Sequence, residues 1–517
     1  MSSRRTFRFI TQLPLDGTPL VILTLALATA TFIEVLDTTV ANVAVPAISG
    51  AMGVSTGQGT WVISSYTMAA AIAVPLTGWL AGRIGEARLF LTSVLLFTLA
   101  STACALSTSM TSLVICRALQ GFLSGPMVPL SQTLMLRAFP AERRAQAIAL
   151  WGVTVLLAPI FGPVIGGWLV DDHSWHWIFL INLPIGLIAF ATCFSLLPPD
   201  AGPRTTTPID GIGIGLLVIG VGSLQAALDL GREHGWFDSM LITGLIVTAA
   251  ITLGALLIWE AGERYPVVDL SVFRDRNYSF SLAIISVGMM GFALVGVIFP
   301  LWLQTVMGYS AFNAGLAMAP FGVLALGAAA LVSKFGENVD PRAIASLGFI
   351  VFCGSLLWDA HFSLSMTFWQ VATPGFILGI GLPCFFIPMV AVMLSHIPDD
   401  KLASATSLSN FLRTLAFAFG TAISVTLWDS RGNYHYGTLA QDVTPISAGT
   451  KVYLGSLKGI GIADGFRLHT IEQATQQQSY MLATNDMFFM TSMLCLALAG
   501  CVWLTRPKRG ISLQIGH

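Results

Sequence analysis

The feature that most constrains the fold is a series of apolar stretches, each about 20 residues long and nearly free of charge. About 20 apolar residues is the length that an α-helix needs to cross a bilayer. The shorter, alternating segments of an outer-membrane β-barrel are not found. With 55% hydrophobic and only 10% charged residues, the chain is predicted to be an all-α polytopic membrane protein.

Fourteen candidate spans are delimited by Pro, Gly or charged residues. They lie near residues 20–45, 60–81, 89–107, 111–135, 146–170, 176–197, 210–229, 240–260, 279–302, 313–333, 342–360, 368–394, 404–428 and 484–505. When the N-terminus is placed inside, 18 of the 25 Lys and Arg residues fall on cytoplasmic segments. Since cytoplasmic loops carry excess positive charge, this bias predicts that both termini are cytoplasmic. The net charge of −1 gives no electrostatic reason to expect nucleic-acid binding.

Short motifs recur in the same order in two parts of the chain. Gly121–Pro129 in the fourth span matches Gly375–Pro383 in the twelfth, and Arg83-Ile-Gly85 is echoed by Lys334-Phe-Gly336. Chance recurrence of Gly/Pro patterns is the alternative to an internal repeat. The repeat predicts a cytoplasmic N-terminus (1–19), a six-helix bundle (20–197), two inserted helices with linkers (198–276), a second six-helix bundle (277–505) that includes a polar periplasmic loop (429–483), and a cytoplasmic tail (506–517).

Two carboxylates, Glu34 and Asp37, lie inside the first span. Ionisable side chains within a membrane are costly, usually face the bundle interior, and often mark ion pathways. Asp37 lies about 12 Å from the outer end of its span, and Arg117 about 9 Å from the outer start of the fourth span. Similar depth predicts an ion pair that keeps Asp37 ionised until a proton arrives and releases Arg117. A static brace between the two spans is the alternative.

Other acids in the spans have less defined roles. Glu34 precedes Asp37 by three residues and lies on the same helical face. Three roles are open for it: sharing the proton with Asp37, contacting a cationic substrate, or facing a cavity without either function. Asp229, Glu260 and Asp359 fall at the ends of predicted spans. We expect these three carboxylates to be solvated.

Several motifs point to one family. Leu36–Pro46 reads LDTTVANVAVP, Arg117–Gly121 reads RALQG, and Ala158–Gly167 reads APIFGPVIGG. These motifs are similar to first-, fourth- and fifth-span signatures of the major facilitator superfamily, specifically its fourteen-helix drug:proton antiporters of the EmrB type. The resemblance extends from about residue 16 to 505. Gly78–Arg88 resembles the superfamily loop between spans 2 and 3, except that Gly82 stands where many members have an Asp.

The resemblance suggests roles for individual residues. Proton coupling is assigned to Asp37 and Arg117, and also to Glu34, which no family pattern supports and which is included because it shares the helical face of Asp37. A substrate cavity is predicted to include Glu34, Asn42, Gln120, Gln132, Asn410 and Arg413. Conformational roles are expected for Gly78, Arg83, Gly85, Pro159, Gly162, Pro163, Gly166 and Gly167, because Gly allows helices to approach closely and Pro bends them.

The resemblance implies proton-driven multidrug efflux, without a cofactor, across a bacterial inner membrane. It also implies that hydrophobic drugs pass to an EmrA-like periplasmic adaptor and a TolC-like outer-membrane channel. No Gly-x4-Gly-Lys-Ser/Thr motif occurs, which argues against ATP as the energy source. Export of one metabolite, such as a fatty acid or siderophore, is an alternative. A membrane-embedded enzyme or receptor is another alternative. The fifth-span motif Ala158–Gly167 weighs against it, because this motif resembles one that is typical of exporters.

Overall fold

The computed structural model describes residues 13–54, 56–140, 143–198, 210–232, 234–264, 266–335, 339–398, 401–444, 447–459 and 464–506. These residues form the helices α1 (Gly17–Met52), α2 (Thr56–Gly59), α3 (Trp61–Ile84), α4 (Glu86–Ala105), α5 (Met110–Ser124), α6 (Met127–Ala138), α7 (Arg144–Asp172), α8 (Trp177–Leu180), α9 (Asn182–Leu196), α10 (Gly211–Leu230), α11 (Met240–Gly262), α12 (Arg276–Thr305), α13 (Ala311–Phe335), α14 (Pro341–Asp359), α15 (Phe368–Leu394), α16 (Leu402–Asp442), α17 (Ala448–Gly459) and α18 (Asp464–Cys501). Residues 1–12 and 507–517 of the predicted terminal segments lie outside this described part.

Thirteen segments of the described chain are long and apolar enough to cross a membrane. Two of them contain consecutive helices, α5 with α6 and α8 with α9. The 29-residue α7 covers the predicted fifth span, so that each predicted span coincides with helix. The all-α polytopic class predicted from the apolar stretches is confirmed.

The fourth predicted span is divided into two helices at Gly125 and Pro126. Proline has no backbone N–H, so Pro126 cannot donate to the carbonyl of Phe122 one turn earlier, and the helix is interrupted. The interruption separates α5, which carries Arg117, from α6, which carries Gln132.

The helix neighbours of α1–α9, the first half, recur in α12–α18, the second half. α1 packs against α7, and α3 against α5, as α12 packs against α16 and α13 against α15. α4 packs against α9 as α14 packs against α18. The halves meet where α7 contacts α13 and α15, and where α3 and α6 contact α16. The intervening α10 and α11 pack on each other, and α10 also packs on α3.

α16 and α18 are longer than a bilayer requires. They contain 41 and 38 residues, which gives lengths of about 60 Å at 1.5 Å per residue. The hydrocarbon core of a bilayer is only about 30 Å thick. Much of the polar segment 429–483, expected to be a loop, is therefore helix: the end of α16, all of α17 and the start of α18. Asp486 of α18 accepts hydrogen bonds from Arg431 and His435 of α16, each over 2.8 Å, and holds the two helices together.

Candidate functional site

Asp37 and Arg117 form a buried ion pair between α1 and α5. Arg117 Nη1 lies 2.5 Å from Asp37 Oδ2, and each side chain is only 1% exposed. This is the pairing that their similar depth in the membrane predicts. A charged pair so far from water requires further hydrogen bonds to be stable.

Neutral side chains and a carbonyl supply those hydrogen bonds. Asp37 Oδ1 accepts from Asn182 Nδ2 over 2.7 Å and from Gln120 Nε2 over 3.1 Å. Arg117 donates from Nε to the Val62 carbonyl over 3.0 Å, and from Nη1 to Gln120 Oε1 over 2.8 Å. Helices α1, α3, α5 and α9 all contribute. Each member of the buried pair therefore has at least two further hydrogen bonds.

Glu34 lies one turn before Asp37 on α1 and is 9% exposed. The hydroxyl of Tyr66 on α3 donates to Glu34 Oε1 over 3.4 Å. The ring of Tyr66 lies 4.2 Å from Arg117 Cζ, in the geometry of a cation–π contact. Tyr66 thus touches both the second acid and the cation of the ion pair. We call Glu34, Asp37, Tyr66, Arg117, Gln120 and Asn182 the ion-pair cluster.

A second polar cluster lies where the two halves meet. Asn410 of α16 donates from Nδ2 to Gln132 Oε1 of α6 over 2.9 Å, and Arg413 Nη2 donates to Asn410 Oδ1. Arg413 Cζ lies 5.3 Å from the Trp151 ring of α7 and 5.2 Å from the Phe386 ring of α15. These five residues, which we call the interface cluster, connect both halves through side chains.

Hydrogen bonds connect α1 to the interface cluster. Thr31 lies one turn before Glu34 on α1 and donates to Ser131 Oγ over 2.7 Å. The same oxygen accepts from Trp151 Nε1 over 3.0 Å. A shift of α1 relative to α6 would therefore change the hydrogen bonds of Ser131, one of which holds the Trp151 ring that Arg413 contacts.

The residues predicted to line a substrate cavity do not form one group. Gln132, Asn410 and Arg413 come together in the interface cluster. Gln120 belongs instead to the ion-pair cluster, because its amide bonds both charged partners. Asn42 is exposed on α1 and lies in neither cluster.

Glycines of the fifth-span motif allow α7 to approach α1. A methyl group at Gly162 would lie 2.0 Å from Thr39 Oγ1, and one at Gly166 would lie 3.1 Å from Val40 Cγ1. At Gly167 such a methyl would have no described atom within 4 Å, so the conformational role of this residue stays a prediction. The side chains of two further motif residues lie outside the described part of the structure: Pro159 and Pro163.

The segment between α3 and α4 contains a cation–π contact and an ion pair. Gly85 ends α3 with a positive φ of 97°, which favours glycine. The guanidinium carbon of Arg83 lies 5.1 Å from the Trp79 ring. Glu86, which follows Gly85, pairs with Arg137 at the end of α6 over 2.8 Å. Glu86 thus supplies a carboxylate in this segment, four residues after Gly82 in the sequence.

Gly78 on α3 lies at a close contact between the halves. A methyl group there would be 2.9 Å from the Cα atom of Ser404 on α16. Three residues later on α16, Ser407 Oγ donates to the carbonyl of Val74 over 2.6 Å. Since backbone atoms leave no room at this contact, the fit of α3 against α16 depends on the absence of a side chain at Gly78.

Two acids that we expected to be solvated are buried. Glu260 and Asp359 are each 4% exposed, so the expectation is wrong for both. Glu260 lies against the first turn of α10, where a methyl group at Gly213 would be 2.8 Å from its Oε1. Asp229 is half-buried and accepts a hydrogen bond from Thr67 Oγ1 over 3.1 Å. Position along a span does not reveal which neighbouring helix covers its end.

Sequence reasoning missed Asn182 and Tyr66 as members of the ion-pair cluster. Both are hydrogen-bonding residues within apolar runs, near the start of the sixth span and early in the second. A search for isolated polar side chains at the depth of Asp37 would have found them, because such side chains need partners in a membrane.

The described fold, with repeated helix packing and a buried ion pair in one half, defines a membrane transport protein. The family model of the Major Facilitator Superfamily matches residues 27–421, and the chain belongs to this superfamily. Membership makes it a multi-pass transporter rather than an enzyme, and confirms the family suggested by the motifs.

Relatives match over nearly the full length. The chain is 42% identical to the multidrug export protein EmrB of Escherichia coli strain K12 over 503 residues, or 96% of this chain and 98% of EmrB. It is 42% identical to the fatty acid resistance protein FarB of Neisseria gonorrhoeae over 494 residues, or 96% and 97% of the two chains. It is also 40% identical to the probable multidrug resistance protein EmrY of E. coli K12, with 96% and 97% covered.

Proposed function

We propose that the chain exports hydrophobic drugs in exchange for protons, with its two halves alternating between states that open to opposite sides of the membrane. The observation that carries this proposal is the buried ion pair of Asp37 and Arg117. An exchanger needs an acid that is shielded from water and whose protonation changes the protein around it. The proton gradient then supplies the energy, and no cofactor takes part.

Protonation of Asp37 would remove the negative half of the ion pair. Arg117 would keep the Val62 carbonyl, the Gln120 amide and the Tyr66 ring as partners, but would lack a counter-ion. An unpaired buried charge is unfavourable by several kcal/mol, which favours a rearrangement of α5 against α1. Glu34, one turn from Asp37, is the second acid near this proton.

The interface cluster supports the location of the substrate. Substrates of alternating-access transporters bind between the two repeats, near the membrane midplane, and this cluster contains side chains from both halves. The names of EmrB and EmrY favour a range of drugs as substrates. The name of FarB favours a second candidate function, the export of fatty acids.

The bias of Lys and Arg supports an inner-membrane topology with both termini in the cytoplasm. The extended ends of α16 and α18, with α17, would then lie in the periplasm. They offer a surface beyond the membrane for a periplasmic adaptor of the EmrA type, which would pass substrate to a TolC-like outer-membrane channel.

The test uses purified protein in lipid vesicles. Efflux of several hydrophobic dyes is measured with and without an imposed pH gradient, for the wild type and for Asp37→Asn. We expect gradient-dependent transport in the wild type and none in the variant. Asp229→Asn is the matched control, because it neutralises another membrane acid that has no cationic partner among the described residues.

Two results would contradict the proposal. Gradient-driven export by Asp37→Asn at the wild-type rate would make the ion pair a static brace between α1 and α5. Dye transport that ignores the pH gradient in the wild type would exclude proton exchange.

A further inference from the structure

The contact between the halves contains two buried hydrogen-bond donors that lack acceptors. Among the described residues, neither Gln132 Nε2 nor Arg413 Nη1 has a hydrogen-bond partner, and both atoms are shielded from water. We propose that these two donors bind the carboxylate of an amphipathic substrate at the contact between the halves. This inference rests on the proposed export function and names the chemical class of one substrate end.

Asn410 determines which atoms remain available. Its Nδ2 donates to Gln132 Oε1, and its Oδ1 accepts from Arg413 Nη2. The amide of Asn410 is therefore occupied at both ends, and the free atom on each neighbour is a donor. A ligand that completes this arrangement must accept two hydrogen bonds, as a carboxylate does with its two oxygens.

The charge of the site favours an anion. Arg413 is 7% exposed, and within the described chain no carboxylate forms an ion pair with it. The groups that contact the Arg413 guanidinium are neutral: the Asn410 amide and the rings of Trp151 and Phe386. A buried guanidinium without a counter-ion is unfavourable, so an anionic ligand would be stabilised there.

The same surroundings disfavour a lipophilic cation. The positive charge would repel it, and both free atoms are donors that a cation cannot satisfy. The Trp151 and Phe386 rings provide apolar surface beside the guanidinium for the hydrocarbon part of an anionic amphiphile. Gln132 belongs to the first half and Arg413 to the second, so one carboxylate between them would contact both moving parts.

Binding is measured without any gradient, on purified protein in lipid nanodiscs. The probes are dansylaminoundecanoic acid, its uncharged methyl ester, and tetraphenylphosphonium as a competing cation. We expect the acid to bind at least about tenfold more tightly than the ester, as one charge-assisted hydrogen bond allows. The cation should not displace the acid.

Variants separate charge from packing. Arg413→Gln should remove the preference for the acid over the ester, and Arg413→Lys should retain part of it because the charge remains. Gln132→Leu should weaken acid binding about threefold to tenfold and leave ester binding unchanged. Matched controls are Arg342→Gln and Gln304→Leu, which change the same residue types away from the interface cluster and should preserve the preference.

Equal binding of acid and ester by the wild type would by itself overturn the inference. An unchanged preference for the acid in a folded Arg413→Gln protein would overturn it as well. Displacement of the acid by tetraphenylphosphonium also overturns it. Asp37→Asn distinguishes the two proposals, because it should lose proton-driven export yet bind the acid normally. Loss of the acid preference in Asp37→Asn would assign anion binding to the ion-pair cluster and contradict the assignment to Arg413.

Discussion

The hydroxyl of Tyr66 donates a hydrogen bond to Oε1 of Glu34 over 3.4 Å. The same ring lies 4.2 Å from the guanidinium carbon of Arg117. Tyr66 therefore connects the acid outside the ion pair to Asp37 and Arg117, which form it. A change in the charge of Glu34 would alter its hydrogen bond with Tyr66, and Tyr66 is in direct contact with Arg117.

Glu34→Gln tests this connection. Glutamine keeps the shape and can still accept from Tyr66, but it removes the charge one turn from Asp37. We expect gradient-driven efflux to fall by about tenfold or less, whereas Asp37→Asn abolishes it, because the counter-ion of Arg117 remains in place. Vesicle transport at several pH values is the measurement. A Glu34→Gln protein as inactive as Asp37→Asn would make Glu34 an equal partner in proton exchange.

Asn182→Ala tests how neutral donors support the ion pair. Asn182 Nδ2 donates to Asp37 Oδ1 over 2.7 Å and approaches Ser101 Oγ within 2.9 Å. Its loss should lower the free energy of unfolding by about 1.5–3 kcal/mol, the range for hydrogen bonds to charged groups. Thermal unfolding in detergent measures the change. Asn313→Ala, at an exposed position, is the control and should have little effect; equal stability of the two variants would contradict the role of Asn182.

Two glycines of one motif should respond differently to the same substitution. In Gly162→Ala the new methyl group would collide with Thr39 on α1, and overpacking of this kind lowers stability by about 1–3 kcal/mol. In Gly167→Ala the new methyl group would have no described atom within 4 Å. Alanine in a helix is favoured over glycine by up to about 1 kcal/mol. Thermal unfolding and transport are compared for the pair. The packing argument fails if Gly167→Ala is the more damaging change.

Asp269 gives a pH-dependent prediction outside the membrane. Burial raises the pKa of its carboxyl group, but hydrogen bonds from Ser271 and Lys401 lower this pKa by more than burial raises it. The pKa therefore lies below its ordinary value of 3.8. Because the folded-state pKa is depressed, the stabilising contribution is present above the unfolded-state pKa. It is lost as the pH falls through the folded-state pKa.

Asp269→Asn should therefore lower the melting temperature at neutral pH and have no further effect in strong acid. The two charged side chains of this pair are 26% and 40% exposed, so the loss at neutral pH should not exceed about 1 kcal/mol. Melting temperatures of both proteins across the acid range are the measurement. The exposed Asp238→Asn is the control, and a difference between wild type and Asp269→Asn that stays constant with pH would contradict the assignment.

The sequence by itself determined the helical class, the positions of the spans and the partner of Asp37. Hydrophobic length, positive-charge bias and depth along a helix are properties of position along the chain, and each can be read without knowing how helices face one another. The family motifs identified the superfamily in the same way, because a motif is a run of neighbouring residues that can be recognised without the fold.

Only the tertiary structure decided which helix faces meet. It placed Asn182 and Tyr66 around the ion pair, moved Gln120 from the expected cavity to that pair, and left Asn42 exposed. It also buried Glu260 and Asp359, extended α16 and α18 through an expected loop, and left space for a methyl group at Gly167 among the described residues. The rotation of each helix depends on contacts between residues far apart in sequence, and apolar spans with little periodicity do not encode that rotation locally.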